Sequence, residues 1–293
     1  KRALALEAAE QICNMMVLTP YPGYQGTGFS MPCRNVLPKP VQDPHPPLWM
    51  ACTNRKTIEV AARNGVGALA FSFIDPDEAR TWSSIYYDII KSEECLPLGW
   101  SVNANIAMVS AFSMHRDRAE AIRRGQDNFE FFRYAQQKLV AEDFVPGHSD
   151  MWQEFMTKRG DASDRLIQAA LARAEFDGAG IGTPEDMVRH LRSMQEAGVD
   201  QVILMQQAGR NSNFNICESL ELFAETVMPD FTKDVEAREA AKAAELAPHI
   251  EAALARKTHM QSLAREDVPV VKAAVKAAAF DALKQRQATS GDH

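Results

Sequence analysis

Along the 293-residue chain, apolar and polar positions fall into a repeating two-part pattern. "PLWMAC" is a short apolar run of strand type, and "NRKTIEVAARNG" after it has helical spacing and closes on Gly65, a helix-stopping residue. "VGALAFSF" is a second strand. "DPDEARTWSSIYYDIIKS" is a second helix, with Asp75 as cap, Pro76 at its first position and acids in its first turn. "LGWSVNANIAMVS" and "HRDRAEAIRRGQDNFEFFRYAQQKL" make a third pair. A polar, irregular stretch from about Ala141 to Gly182 interrupts the rhythm. The fourth strand, "QVILMQQ", follows the helix "GTPEDMVRHLRSMQEAGVD", which Thr183 caps and Gly198 stops, and it precedes the helix "ICESLELFAETVMPDF", ended by Pro229. Strands alternating with helices of this length predict an α/β fold with a parallel sheet, because parallel neighbours need long crossover connections.

The flanks differ from this pattern. "KRALALEAAEQICNMMV" has helical apolar spacing through Leu4, Ala8, Ile12 and Met15 or Met16. Lys1 is not an initiator methionine and helical spacing begins at once, so the chain is expected to start within a domain. The segment "PKPVQDPHPP" carries five prolines and predicts a stiff approach to the first strand. From about Thr232 to Gln287 the chain is rich in Ala, Lys and Glu, with helical spacing through Leu246, Ile250, Ala253 and Leu254, interrupted by "DVPVVK". Residues 1–231 therefore read as the main body and 232–293 as a helical C-terminal extension, packed on that body or on a second subunit.

Composition narrows the class. With 46% hydrophobic and 24% charged residues the chain can bury a sizeable core. A net charge of -7 opposes a nucleic-acid partner, which needs clustered excess Lys and Arg. No apolar run approaches the ~20 residues that span a bilayer and no secretory leader pattern is present, so no membrane partner and a cytoplasmic location are expected. The five cysteines are widely spaced and form no C-x-x-C pair, and the seven histidines show no ligand spacing; no metal is expected. His45, set among prolines, reads as structural.

The candidate chemistry is sparse. "GVGALA", Gly65 to Ala70, has the letters of a dinucleotide fingerprint but follows a helix and enters a strand, the reverse of what that motif requires. "GAGIGTPED" precedes a helix, yet Glu185 and Asp186 already complement the helix dipole there and would repel an anion, which favours a plain cap. "CTNRKT" joins a strand's carboxyl end to a helix amino end, where backbone N–H groups favour phosphate. Thr53 and Asn54 can donate hydrogen bonds, Thr57 lies on the first turn, Arg55 and Lys56 are cationic, and no acid precedes Glu59. A plain helix cap by Thr53 or Asn54 explains the same residues equally well. Asn103 and Asn105 would share one side of the third strand by two-residue alternation. Gln206 and Gln207 end the fourth strand, where parallel α/β sheets bind ligands, although Gln207 also suits a solvated loop. No catalytic acid or base can be named.

In order and spacing, "PKPVQDPHPPLWMACTNRKTIEVAARNGVGAL", "GTPEDMVRHLRSMQEAGVDQVILMQQAG" and "ESLELFAETVMPDF" resemble the bacterial-luciferase-like flavin-dependent monooxygenases, from about Met16 to Phe231. The resemblance implies a TIM (β/α)8 barrel with FMN, or in some branches a deazaflavin, at the carboxyl ends of its strands. "PLWMAC" then corresponds to the fifth strand and the next three to the sixth, seventh and eighth. Only the C-terminal half of the barrel, strands 5 to 8, would be present, since a complete barrel needs eight strand-helix units and this chain supplies four after its first helix; the chain would be a fragment, inactive alone. The family's phosphate-binding turn falls on Thr53, Asn54 and Thr57, with Asn103 and Gln206 as candidates near the flavin ring. The implied reaction uses reduced FMN and dioxygen on a small organic substrate, one oxygen atom entering the substrate and the other leaving as water. NAD(P)H would supply the electrons, directly or through a flavin reductase, and a homo-oligomer is expected. The alternatives are a deazaflavin-dependent oxidoreductase on the same scaffold and a non-catalytic subunit.

Overall fold

The computed structural model describes residues 1–70, 74–141, 147–159 and 180–270. Within them the chain divides into two compact units, one of residues 47–258 and one of 1–46 with the described residues from 259 onward.

The larger unit is built on four parallel strands, β3 (Trp49–Cys52), β4 (Gly67–Ala70), β5 (Ile106–Ala111) and β8 (Gln201–Met205), adjacent in that order. A two-stranded parallel pair, β6 (Ser113–Met114) with β7 (Ile181–Gly182), follows directly on β5. Helices α2 (Arg55–Arg63), α3 (Pro76–Ile90), α4 (Arg118–Ala141), α5 (Met151–Arg159), α6 (Pro184–Glu196), α7 (Asn213–Thr226), α8 (Met228–Thr232) and α9 (Val235–Arg256) complete it. The parallel α/β expectation is met. Residues 71–73, at the end of the expected "VGALAFSF" strand, and most of the irregular insertion lie outside the described residues; in its described part stand α5 and β7.

Paired residues of neighbouring strands share a face. Cys52, Ala70, Met108, Ser110, Val202 and Leu204 lie on one side, Ala51, Leu69, Val109 and Ile203 on the other. The first side packs on helices: Val202 and Leu204 join Met187 and Leu191 of α6 and Leu222 and Phe223 of α7. At the sheet's carboxyl end, Ala111 and Met205 pack on Ile122 and Phe129 of α4 and on Ile181. Val66 caps off the α2–β4 connection after Gly65, whose φ of +61° is the left-handed conformation that ends a helix. The fingerprint-like "GVGALA" is thus a helix stop and a strand start.

Two boundaries are corrected. The third strand begins at Ile106, so Asn103 and Asn105 precede it instead of lying on it. The last sheet helix begins earlier than expected, with Ser212 accepting from the Asn215 amide, and ends at Thr226; Pro229 sits in the first turn of α8, where its missing N–H costs nothing. Helix α9, in the expected C-terminal extension, belongs to the unit that holds the sheet. The extension beyond residue 270 lies outside the described residues.

The smaller unit holds α1 (Arg2–Val17) and an antiparallel pair, β1 (Tyr24–Gln25) with β2 (Ser30–Met31). The expected helix forms, but its buried residues include polar ones. Gln11 Oε1 accepts from Tyr21 Oη at 3.0 Å and from Asn14 Nδ2 at 3.3 Å, whereas Leu4 and Ile12 are 44% and 52% exposed. Periodicity located the helix; a polar cluster around Tyr21 selected its buried face. The proline segment is irregular, and His45 is buried there with Nδ1 donating to the Pro46 carbonyl at 2.8 Å.

Candidate active site at the strand carboxyl ends

The carboxyl end of β3 leads straight into α2 through Thr53 and Asn54. Asn54 is the helix cap: its Oδ1 accepts from the Thr57 amide at 3.1 Å. Thr57 Oγ1 accepts in return from the amides of Asn54 and Thr53, at 3.2 and 3.1 Å, and donates to the Asn54 carbonyl at 2.7 Å. Asn54 Nδ2 donates to Thr53 Oγ1 at 3.4 Å. The three residues named from sequence are therefore together, exposed or half-buried, in a reciprocal capping box. Their side chains shape the turn. What such a turn offers an anion is chiefly the remaining first-turn N–H groups, with no acid in the first turn of α2 to oppose one.

The local charge differs from the sequence expectation. Arg55 is clamped bidentately by Glu78 of α3, Nε to Oε1 at 2.8 Å and Nη2 to Oε2 at 2.5 Å, and that pairing holds the Glu78 carboxyl below the usual carboxylate range. Trp82 Nε1 donates to the same carboxylate. Lys56, exposed on the first turn, makes no ion pair among the described residues. Cys52, just before the turn, is buried, and burial pushes its thiol up to about 11; it stays protonated and is no nucleophile at neutral pH.

Gln206 lies at the same end of the sheet, directly after β8, but at the opposite edge from β3. Three strand spacings put these edges about 14 Å apart along the sheet. Its amide Nε2 and Oε1 are solvent-inaccessible and unpartnered, as is Asn211 Oδ1, around a void of about 10 Å³ lined also by Ala111, Gly125 and Phe129. That is room for one water molecule. Asn211 Nδ2 donates to the Gln206 carbonyl at 3.3 Å. Gln207 is exposed.

Asn103 is at the other end. Its backbone N–H donates to the Gly65 carbonyl and its Nδ2 to the Leu48 carbonyl, each at 2.9 Å, at the amino ends of β3, β4 and β5. Asn105 Nδ2 donates to Asn103 Oδ1 at 2.6 Å. The two asparagines tie the amino ends of the strands together, away from the strand ends where ligands bind in parallel folds.

Sequence reasoning missed two clusters. At the amino ends, Asp200 Oδ2 accepts from Tyr87 Oη at 2.5 Å and from the Ile106 amide at 2.7 Å, while Asp200 Oδ1 and Asn105 Oδ1 accept from Lys242 Nζ at 2.7 and 2.6 Å. Burial and the neighbouring Asp200 carboxylate push the Tyr87 hydroxyl well above its ordinary range, so it remains a donor. Between β5 and α6, His190 Nε2 and Ser110 Oγ are 2.9 Å apart. Burial lowers the His190 imidazolium to about 4, leaving the ring neutral. Ser110 is buried on the helix-facing side of the sheet and also donates to the Ala111 carbonyl at 3.0 Å, so this pair has the atoms of a nucleophile and base without access. No spacing signal could have joined positions 110 and 190, or 87, 105, 200 and 242.

Among the described residues no cluster of His, Cys, Asp and Glu is arranged to hold a metal ion, and no helix is long and apolar enough to cross a membrane.

A family profile described as luciferase-like monooxygenase matches residues 5–201. Among solved structures, a monooxygenase from Streptomyces bottropensis is 19% identical, with a TM-score of 0.52, over 75% of this chain and 58% of its own. A coenzyme F420 dependent tetrahydromethanopterin reductase from Methanopyrus kandleri is 18% identical, with a TM-score of 0.50, over 77% of this chain and 62% of its own. These two likenesses support the luciferase-like TIM-barrel fold, and the chain spans only about three fifths of either structure. No curated protein matches the chain.

Proposed function

Since the chain belongs to the luciferase-like monooxygenase family, we propose that it contributes the C-terminal half of a flavin-dependent monooxygenase barrel, with β3, β4, β5 and β8 as strands five to eight. The family match across 5–201, which spans three of these strands and reaches the first residue of the fourth, is the observation that carries this reading. Two further facts support it: the four strands are parallel and consecutive in the sheet, and β3 and β8 each have only one strand neighbour among the described residues.

The cofactor is reduced FMN, and its phosphate sits at the turn of Thr53 and Asn54. The residues there fit the phosphate end of the group: an exposed helix amino end with an acid-free first turn and Lys56 beside it. Thr57 and Asn54 hold the turn in shape through the capping box, and the backbone N–H groups of the first turn take the phosphate oxygens. Gln206, closed around a water-sized void, acts by holding water at the end of β8 instead of touching the ring. Asn103, at the amino ends, takes no part. When bound, the reduced flavin supplies electrons to dioxygen for oxygenation of a small organic substrate. NAD(P)H is the source of those electrons, directly or through a flavin reductase, and the protein works as a cytoplasmic homo-oligomer. A second reading, a deazaflavin-dependent oxidoreductase, is favoured by the likeness to the F420 dependent reductase.

Flavin titration tests the site. FMN is expected to bind at least tenfold more tightly than riboflavin, and Lys56→Glu should remove that preference while leaving thermal stability unchanged or raised, since an acid suits a helix amino end. Equal binding of FMN and riboflavin would remove the turn from the site. The absorption spectrum of the cofactor carried by the purified protein separates FMN from a deazaflavin.

A further inference from the structure

Away from the strand carboxyl ends, the larger unit contains a cavity of about 580 Å³. This is within the range of roughly 300–1,000 Å³ typical of small-molecule sites. It lies on the helix-facing side of β8, bounded by α3, α6, α7, α8 and α9. Leu191, Val202, Leu204, Phe223, Phe231 and Leu246 give it apolar walls. Such a volume beside a packed core is not what close packing produces by default.

The polar side of the cavity is one face of α9. Arg238 and Lys242, four residues apart, lie one turn from each other and both line it. Lys242 Nζ gives two hydrogen bonds, to Asp200 and Asn105, out of the three its ammonium can make. Arg238 Nη2 donates to the Phe231 carbonyl at 3.0 Å, out of five guanidinium donors. Donors thus remain on two adjacent cations at the edge of an apolar chamber. The acids around it are paired or solvated: Glu245 pairs with Lys91, Asp200 with Lys242, and Glu239 is exposed. The half-buried Arg238 makes no ion pair among the described residues, so that the uncompensated charge is that of Arg238 and Lys242 adds a hydrogen-bond donor.

We propose that this cavity binds a small amphipathic carboxylic acid, its hydrocarbon body against Leu191, Leu204, Phe223 and Phe231 and its carboxylate between Arg238 and Lys242. The site is separate from the proposed flavin turn: it runs along the helix-facing side of β8 at the opposite edge of the sheet from β3, with its charged side next to Asp200. Arginine suits the carboxylate because its planar donors match two oxygens at once, and the apolar walls replace water around the body.

Isothermal titration of the 293-residue chain with octanoate, octanol and octylammonium tests this. Saturable one-to-one binding of octanoate is expected, with octylammonium bound at least tenfold more weakly. Arg238→Ala should weaken octanoate at least tenfold and leave octanol unchanged. Val235→Trp, at a lining position that is 41% exposed and so tolerant of a larger side chain, should reduce binding of both by narrowing the cavity. No saturable octanoate binding by the unaltered chain, octylammonium bound as tightly as octanoate, or octanoate affinity unaffected by both substitutions would each overturn the proposal. Circular dichroism of the two variants confirms that any loss is not unfolding.

Discussion

Asn54 carries two demands at one position, since its side chain closes the first turn of α2 and its backbone belongs to the proposed phosphate turn. Removing the side chain should therefore cost stability first. Asn54→Ala is expected to lower the unfolding free energy by about 1 kcal/mol, and Asn54→Gly by only a few tenths, because glycine at a cap lets the backbone be hydrated; urea denaturation of both checks the order. His190 makes a second residue-level prediction. Its folded-state value, about 4, is below the ordinary 6.5, so the unfolded chain takes up the proton first and the stability it permits is lost as pH falls from 6.5 toward 4. Between pH 7 and pH 5 that loss is roughly 2 kcal/mol. His190→Asn should flatten this part of the acid limb, and an unchanged slope would show that the ring is not buried neutral. A cap at Thr53 or Asn54 was legible in the sequence, because a cap and its partner lie within three residues; the fold gives it to Asn54. Ser110 beside His190 was not, because only the packing of α6 on β5 brings them together.

Among the elements, α9 shows how far tertiary contact can override local preference. Pro248 stands inside it, removing a backbone donor, yet the helix runs on from Val235 to Arg256. It is held on both sides of the proline. Lys242 is bonded to Asp200 and Asn105 before it, and Arg256 Nη2 donates to the carbonyls of Cys95 and Ser92 after it, at 2.9 and 3.1 Å. The Asp200–Lys242 pair is mostly buried, with side-chain exposures of 13% and 21%. Lys242→Met should cost roughly 2 kcal/mol, since it leaves a carboxylate without its counter-ion. The double variant with Asp200→Asn should cost less than Lys242→Met alone, a sign that chemical denaturation can read directly. The sequence showed that this segment is helical, through Leu246, Ile250 and Ala253; it held no sign of which strand ends the helix would tie.

For the whole molecule, the sheet presents a consequence of its strand count. β3 and β8 each have one free side among the described residues, and Trp49 and Ile203 on the side away from the core helices are 38% and 44% exposed. Open edges and exposed apolar residues invite association. Light scattering is expected to show concentration-dependent self-association of the chain, and Ile203→Lys should shift it toward the monomer without loss of helical signal; a strictly monomeric chain would defeat this expectation. What the sequence determined by itself was the alternation of strands with helices, a cap at Thr53 or Asn54, the caps at Asp75 and Thr183, and the stop at Gly65. Each of these is satisfied by groups a few residues away, so local pattern suffices. Only the tertiary structure decided that Asn103 ties strand amino ends, that Gln206 closes on a water-sized void, that Arg55 is neutralised by Glu78, and that Tyr87, Asp200 and Lys242 meet. Those outcomes depend on strand register and crossover geometry, which join residues from 23 to 113 positions apart and leave no mark in the spacing of any one segment.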